Sequence, residues 1–231
     1  MRVSLIIWAS AFFIFSQIQA VAEEQMRAIT VTGQGQVFAE PDMATVNVGV
    51  THQDRDAEEA MLRASRGAAQ VIGQLQGLGI EGRDMQTSTV SLSPVWNNRN
   101  SSSEPPRITG FVANISVTVR VRDLPILGMV LDAVVSDGAN QLGGIQFGFQ
   151  DPDPLMEQAR REAVANGRAK AMVLADAAGV NLGPLQSLSE QGGVRPQPMM
   201  MEMAARDASV PIAAGELSLS ASVSMVYQIA D

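Results

Sequence analysis

Cysteine is absent from the 231 residues, and histidine occurs once, as His52. Without thiols the chain has no disulfide framework, and it can run neither thiol peroxidase nor thiol–disulfide chemistry. One imidazole and no thiolate cannot supply the usual tetrahedral set of a zinc site either. Nucleophilic hydrolysis ordinarily needs an imidazole beside its nucleophile. His52 closes a predicted strand just before a predicted helix and reads as a solvated turn residue. Positive charge is also scarce, with 16 Lys and Arg against 24 Asp and Glu. An acidic surface with no basic cluster repels phosphate backbones, so nucleic acid is not an expected partner. Aromatic residues make up only 4% of the chain, so its core must be built from Val, Leu, Ile and Ala.

Long apolar runs are missing too, apart from one at the start. Arg2 precedes an apolar stretch over 3–15, and the small residues Ala20 and Ala22 follow it. That pattern is a secretory signal peptide over 1–22, with cleavage expected after Ala22. The run falls short of the ~20 residues that a spanning helix requires. The expected product, 23–231, has no transmembrane segment and is soluble outside the cytoplasm. Losing Arg2 leaves 15 basic and 24 acidic residues, a net charge of −9.

What is present reads as alternating strands and helices. "AITVTGQGQVFA" and "MATVNVGVTHQ" alternate as strands, joined by "EPD", where Pro41 ends pairing and Asp42 holds a tight structural turn. The glycines of "GQG", Gly33 and Gly35, lie inside the first strand with no helix opening there. They mark a bulge or a close backbone contact and not a dinucleotide loop. "DAEEAMLRASRGAAQVIGQLQGLG" is helical, capped by Asp56 with Glu59 three residues on, and apolar at Met61, Ala64, Ala68, Val71, Leu75 and Leu78. A strand, a polar loop over 97–106, and a long strand with Phe111, Ala113, Ile115, Val117 and Val119 on one face follow. Next come a shorter helix, a strand "LGGIQFGFQ", and a long helix with Asp153 as cap and Gly179 as stop. Two more strands flank a methionine-rich loop.

The order strand, helix, strand, polar loop, long strand occurs twice, in 23–122 and 123–231. We read this as two pseudo-repeated halves of a single domain, 23–231, whose sheet the halves can share. The expected fold is α+β: a twisted mixed or antiparallel sheet with helices packed on one face.

Chemistry-bearing clusters are few. Asp54–Glu59 and Asp151/Asp153 stand at helix starts, where negative charge is explained by capping and the helix dipole. The stretch 195–211 holds Met199, Met200, Met201 and Met203 among prolines. Three readings stay open for those thioethers: an adaptable contact covered on assembly, an oxidant-sensitive segment, or a soft-metal site. No catalytic residue and no cofactor is assigned, and a carboxylate-dependent hydrolase stands as the remaining alternative.

"ITVTGQGQVFAEPDMATVNVGV", with its V-x-G-x-G-x-V strand followed by Pro-Asp, resembles the opening signature of the SIMPL-domain family, a domain of unknown function. The similarity continues through "TSTVSLSP", "GFVANISVTVRVRDL" and "QDPDPLMEQARREAVANGRAKAMVLADAAGV" to the last strand. The resemblance implies a bacterial periplasmic or envelope-associated protein. It also implies oxidative-stress defence, self-association, in some relatives into large rings, and contact with envelope proteins. The family offers no agreed catalytic residues to carry over; its Pro-Asp falls on Pro41 and Asp42. The expectation is a non-enzymatic homo-oligomer, with a methionine-based oxidant or soft-metal scavenger as the rival.

Overall fold

The computed structural model describes residues 27–97, 106–191, the backbone of 197–199, and 212–230. The expected signal peptide lies outside this set, as do Met200, Met201 and Met203. Twelve-residue strands open the fold, β1 (Ala28–Ala39) and β2 (Met43–Asp54). Helix α1 (Ala57–Gly77), β3 (Met85–Trp96), β4 (Ile108–Val121) and α2 (Leu127–Ser136) follow. The chain continues through β5 (Gln141–Gly148), α3 (Asp153–Ala178), β6 (Asn181–Gln191), β7 (Gln197–Met199) and β8 (Glu216–Ala230).

The fold is α+β, as its sequence predicts, but its strands form two sheets where one shared sheet was expected. Sheet A runs β1-β8-β6, with β7 also on β8; sheet B runs β3-β4-β2-β5. All pairings are antiparallel. Although adjacent in sequence, β1 and β2 do not pair. β1 lies along β8 from Ala28↔Gln228 to Ala39↔Leu217, and β2 lies between β4 and β5. Sheet A thus takes β1 from the early part of the chain beside β6, β7 and β8, and sheet B takes the later β5 beside β2, β3 and β4. Both strands alternate in the same way, so nothing local distinguishes a hairpin from this crossover.

Helices cover one face of each sheet. Alternation buries Val46, Val48 and Val50 of β2, and Val117, Val119 and Val121 of β4. Ala60, Ala64, Gly67, Ala68, Val71 and Leu75 of α1 face them. Leu127, Val130, Leu131 and Val134 of α2 complete that core beside Ile145 and Phe147 of β5. In sheet A, Met156, Ala159, Ala163, Gly167, Ala171 and Ala175 form the buried stripe of α3. They pack on Val31, Val37, Leu219, Val223 and Met225.

Asp56 caps α1 as predicted, its Oδ1 accepting from the N–H groups of Glu58 (2.8 Å) and Glu59 (3.1 Å). α3 starts one residue before the expected position: Pro152 is its N-cap, Asp153 is already helical, and Asp151 Oδ1 accepts the Asp153 N–H at 3.1 Å. Gly179 ends it in the left-handed region at φ 68°. His52 is a half-buried residue within β2 and not a turn residue, because β2 stays paired with β4 as far as Asp54↔Phe111. β7 interrupts the segment read as a loop. Pro198 is tolerated there because β7 is a short edge strand.

Gly33 and Gly35 are the site of a close approach. A Cβ on Gly33 would lie 2.1 Å from the Ala163 carbonyl oxygen, and one on Gly35 would lie 2.0 Å from that of Ala159. The helix backbone rests directly on the strand.

Candidate functional site

Three chain connections meet where the two sheets join, and polar groups tie them together. Pro41, between β1 and β2, is buried. The neighbouring Asp42 donates its N–H to the Gly148 carbonyl at 3.2 Å. Its Oδ1 accepts the Gln150 N–H at 2.7 Å, and its carbonyl accepts from Gln150 Nε2 at 3.1 Å. Gln150, in the β5–α3 connection, also donates Nε2 to the Arg122 carbonyl at 3.2 Å. The Pro-Asp step thus passes the chain from one sheet to the other, and Asp42 grips the return connection.

Arg122, just past β4, extends the tie to the turn that precedes β3. Its Nε donates to Asp84 Oδ2 at 2.7 Å and its Nη2 to Asp84 Oδ1 at 2.6 Å, a two-pronged pair. Asp84 is only 5% exposed, whereas the Arg122 side chain is 39% exposed. The Arg122 hydrogen bonds hold the Asp84 carboxyl below its ordinary range, against the opposing effect of burial, and the charges of Arg122, Arg83 and Arg120 act in the same direction. Asp84 therefore stays ionised, and burial does not neutralise it. Sequence reasoning missed Asp84, Arg122 and Gln150. A basic residue closing an apolar strand, in "VTVRVRD", was the only local sign.

The methionine candidates do not assemble into a described site. Met199 lies in β7 opposite Glu216, and nothing further is described of its side chain. Met200, Met201 and Met203 lie outside the described residues. Among the described residues no group of three or more His, Cys, Asp or Glu side chains is placed to hold a metal ion. No described helix is long and apolar enough to cross a membrane.

The sheet margins differ in how they are finished. Along the free side of β1, Asn166 Oδ1 accepts the Gln34 N–H at 3.1 Å and Lys170 Nζ donates to the Thr32 carbonyl at 2.9 Å. Helix α3 thereby caps an edge that would otherwise invite pairing. Among the described residues no side chain caps the outward side of β3 between Met85 and Ser93. On the helix side of β3, Val90 is 61% and Leu92 42% exposed; on β6, Leu185 is 44% and Leu188 47% exposed. Those side chains continue the buried rows of Ile115, Ala113, Tyr227 and Met225.

A two-sheet α+β architecture with a polar clasp at its junction is the class of protein that these features define. Residues 29–227 match the family model SIMPL, described as "Protein of unknown function (DUF541)", and the chain belongs to that family. It is 40% identical over 226 residues to the 26 kDa periplasmic immunogenic protein of Brucella melitensis, covering 93% of this chain and 89% of that one. It is 29% identical over 202 residues to the uncharacterized protein YggE of Escherichia coli K12, covering 87% of this chain and 80% of that one. A Burkholderia cenocepacia structure assigned to the amidohydrolases or peptidases overlaps at TM-score 0.15. Its identity is 20% over 53% of this chain and 30% of that one, which carries no argument about fold or activity.

Proposed function

We propose that the protein is exported to the periplasm, where it self-associates without catalysing a reaction and contributes to oxidative-stress or envelope tolerance. Export is supported by the leader pattern over 1–22 and by the word "periplasmic" in the name of the Brucella relative. A role without catalysis is supported by composition, a single histidine and no cysteine. The observation that carries self-association is the pair of uncovered apolar margins, Val90 and Leu92 on β3 and Leu185 and Leu188 on β6. Open strand edges bordered by apolar side chains recruit other chains.

Light scattering on residues 23–231 tests this reading directly. A mass above the monomer is expected, falling when Val90→Lys and Leu188→Lys place charge on both margins. Replacing 195–211 by a Gly-Ser linker shows whether the methionine-rich segment takes part. A monomer at every concentration rejects self-association. Survival of a deletion strain under peroxide that equals its parent's rejects the stress role.

A further inference from the structure

We propose that the outer face of sheet B carries a binding site for a small oxyanion, a carboxylate or phosphate group on a compact apolar body, with Arg120 as its principal ligand. A cleft of about 420 Å³ lies there beside the clasp. That is within the ~300–1,000 Å³ range of small-molecule sites. The site lies within one chain and stands apart from self-association.

Strand register builds the floor. Thr45 of β2 is directly opposite Arg120 of β4 on one side and Gln146 of β5 on the other. Alternation puts Val119, Val121, Ala44, Val46 and Ile145 on the helix side, so Arg120, Thr45 and Gln146 form one row on the outer face. One step along, Met43 is opposite Gly148, and Arg122 follows Arg120 on the same side of its chain. Gly148 has no side chain to fill the space. Phe149, Gln150 and Pro152, leading into α3, supply the wall.

The floor is rich in hydrogen-bond donors. A guanidinium offers only donors, and the Thr hydroxyl and Gln amide each add another. Both carboxylate oxygens of Asp84 are engaged by Arg122, and Oδ1 of Asp42 accepts the Gln150 N–H. Arg122 Nη1 makes a 3.5 Å contact to Gln150 Oε1, and both residues line the cleft. Arg122 is paired with Asp84, whereas Arg120, near enough for its charge to act on that carboxylate, forms no direct ion pair among the described residues. Arg122 lies two residues beyond Arg120, just past the end of β4, and both side chains line the cleft, so a second guanidinium borders the anion held by Arg120. The clasp fixes the wall beforehand, so little ordering is needed on binding. Met43 and Phe149 offer apolar surface to the rest of the ligand.

The probes are inorganic phosphate and benzoate, titrated by NMR into residues 23–231 in a chloride buffer. Saturable one-to-one binding of at least one probe is expected, with a Kd on the order of 1 mM or tighter. Shifts should centre on the amides of Thr45, Arg120 and Gln146. Arg120→Gln should weaken binding about tenfold or more while the thermal midpoint stays put, and Arg120→Lys should fall between. Arg66→Gln, on the open surface of α1, should change nothing. Preference for phosphate assigns a phosphorylated ligand, and preference for benzoate a carboxylate on an apolar body. Failure of both probes to saturate at about 10 mM overturns the proposal, as does undiminished binding by Arg120→Gln.

Discussion

Replacing Gly35 by Ala adds one methyl group, yet it should be among the most damaging small changes available to this protein. The new Cβ would lie 2.0 Å from Ala159 O, 2.5 Å from Ala163 N and 2.8 Å from Glu162 Cβ. The two nearest are backbone atoms of α3, which cannot rotate away as a side-chain tip could. Bringing the tightest contact to the 3.0 Å that real Cβ atoms require means opening strand and helix by 1.0 Å, the difference of the two distances. A radial gap of about 0.5–1 Å forfeits a quarter to a half of each dispersion contact. Ala159, Ala163 and Met156 would all lose contact with Val37 and Leu219 together.

Overpacking of this kind typically costs about 1–3 kcal/mol, and an unyielding backbone contact belongs at the upper end. The alanine recovers about 0.4–1 kcal/mol by restricting the unfolded chain. A net loss of about 2–3 kcal/mol is a large share of the ~5–15 kcal/mol that holds a domain together. For a chain of this length it corresponds to a fall of about 4–12 °C in Tm. Gly33→Ala, with its Cβ 2.1 Å from Ala163 O, should behave alike. The double variant should lose less than the sum, because a helix lifted once relieves both clashes. Gly73→Ala on α1 is the control. Nothing lies within 4 Å of its Cβ, so a gain of up to about 1 kcal/mol from helix propensity is expected. Thermal and urea unfolding followed by circular dichroism measure all four. A Gly35→Ala protein as stable as wild type, beside a stabilised Gly73→Ala, would refute the close-approach reasoning.

The clasp supplies further tests. Arg122→Met leaves the Asp84 carboxylate buried without its donor. Urea unfolding near neutral pH should show a loss of about 2–4 kcal/mol, the lower end being favoured because Arg122 is partly exposed. Asp84 has a folded pKa below its ordinary 3.8, so its stabilisation is fully present above that value and is lost as pH falls through the folded one. Stability scans of wild type and Asp84→Asn should therefore differ at pH 6 and converge only as pH falls below 3.8 and through the folded value. A gap that persists unchanged to pH 2 contradicts this assignment. Gln150→Ala removes bonds from both sheet connections, and hydrogen exchange should show earlier opening of the amides at Asp42 and Gly148. The expected cost is about 1–2 kcal/mol because the side chain is exposed.

Much of the fold is written locally. Asp56 and Gly179 mark helix ends because capping and left-handed geometry act over a few residues. Val46, Val48 and Val50 announce a buried strand face because alternation does too. The partner of each strand is a different matter. Nothing between Ala28 and Ala39 says that their neighbours stand near the other end of the chain. β1 and β2 look like a hairpin because both alternate across a Pro-Asp turn. The clasp was hidden for the same reason: Asp84, Arg122 and Gln150 are ordinary polar residues until three connections converge. Gly33 and Gly35 were partly legible. Their place inside a strand signalled close contact, but only the three-dimensional arrangement identifies Ala159, Ala163 and Gly167 as what they touch.

The small-residue packing and the open margins have one physical origin. A chain with few aromatic residues must gain its contacts by bringing backbones together, and Gly and Ala on α3 and β1 do so. A helix about 10–12 Å across covers roughly two strands spaced 4.7–4.9 Å apart. Long side chains splayed from such a helix would reach further sideways; alanine does not. α3 accordingly covers β1 and β8 and leaves Leu185 and Leu188 of β6 uncovered, while α1 covers β2 and β4 and leaves Val90 and Leu92 of β3 uncovered. Sheet B has a second helix, α2, which packs against α1 and joins the core that includes β2 and β4. The free side of β1 is the contrasting case, because α3 lies over that strand and its Asn166 and Lys170 reach the backbone. An edge close to a helix is capped, and among the described residues an edge beyond its reach keeps apolar side chains half exposed.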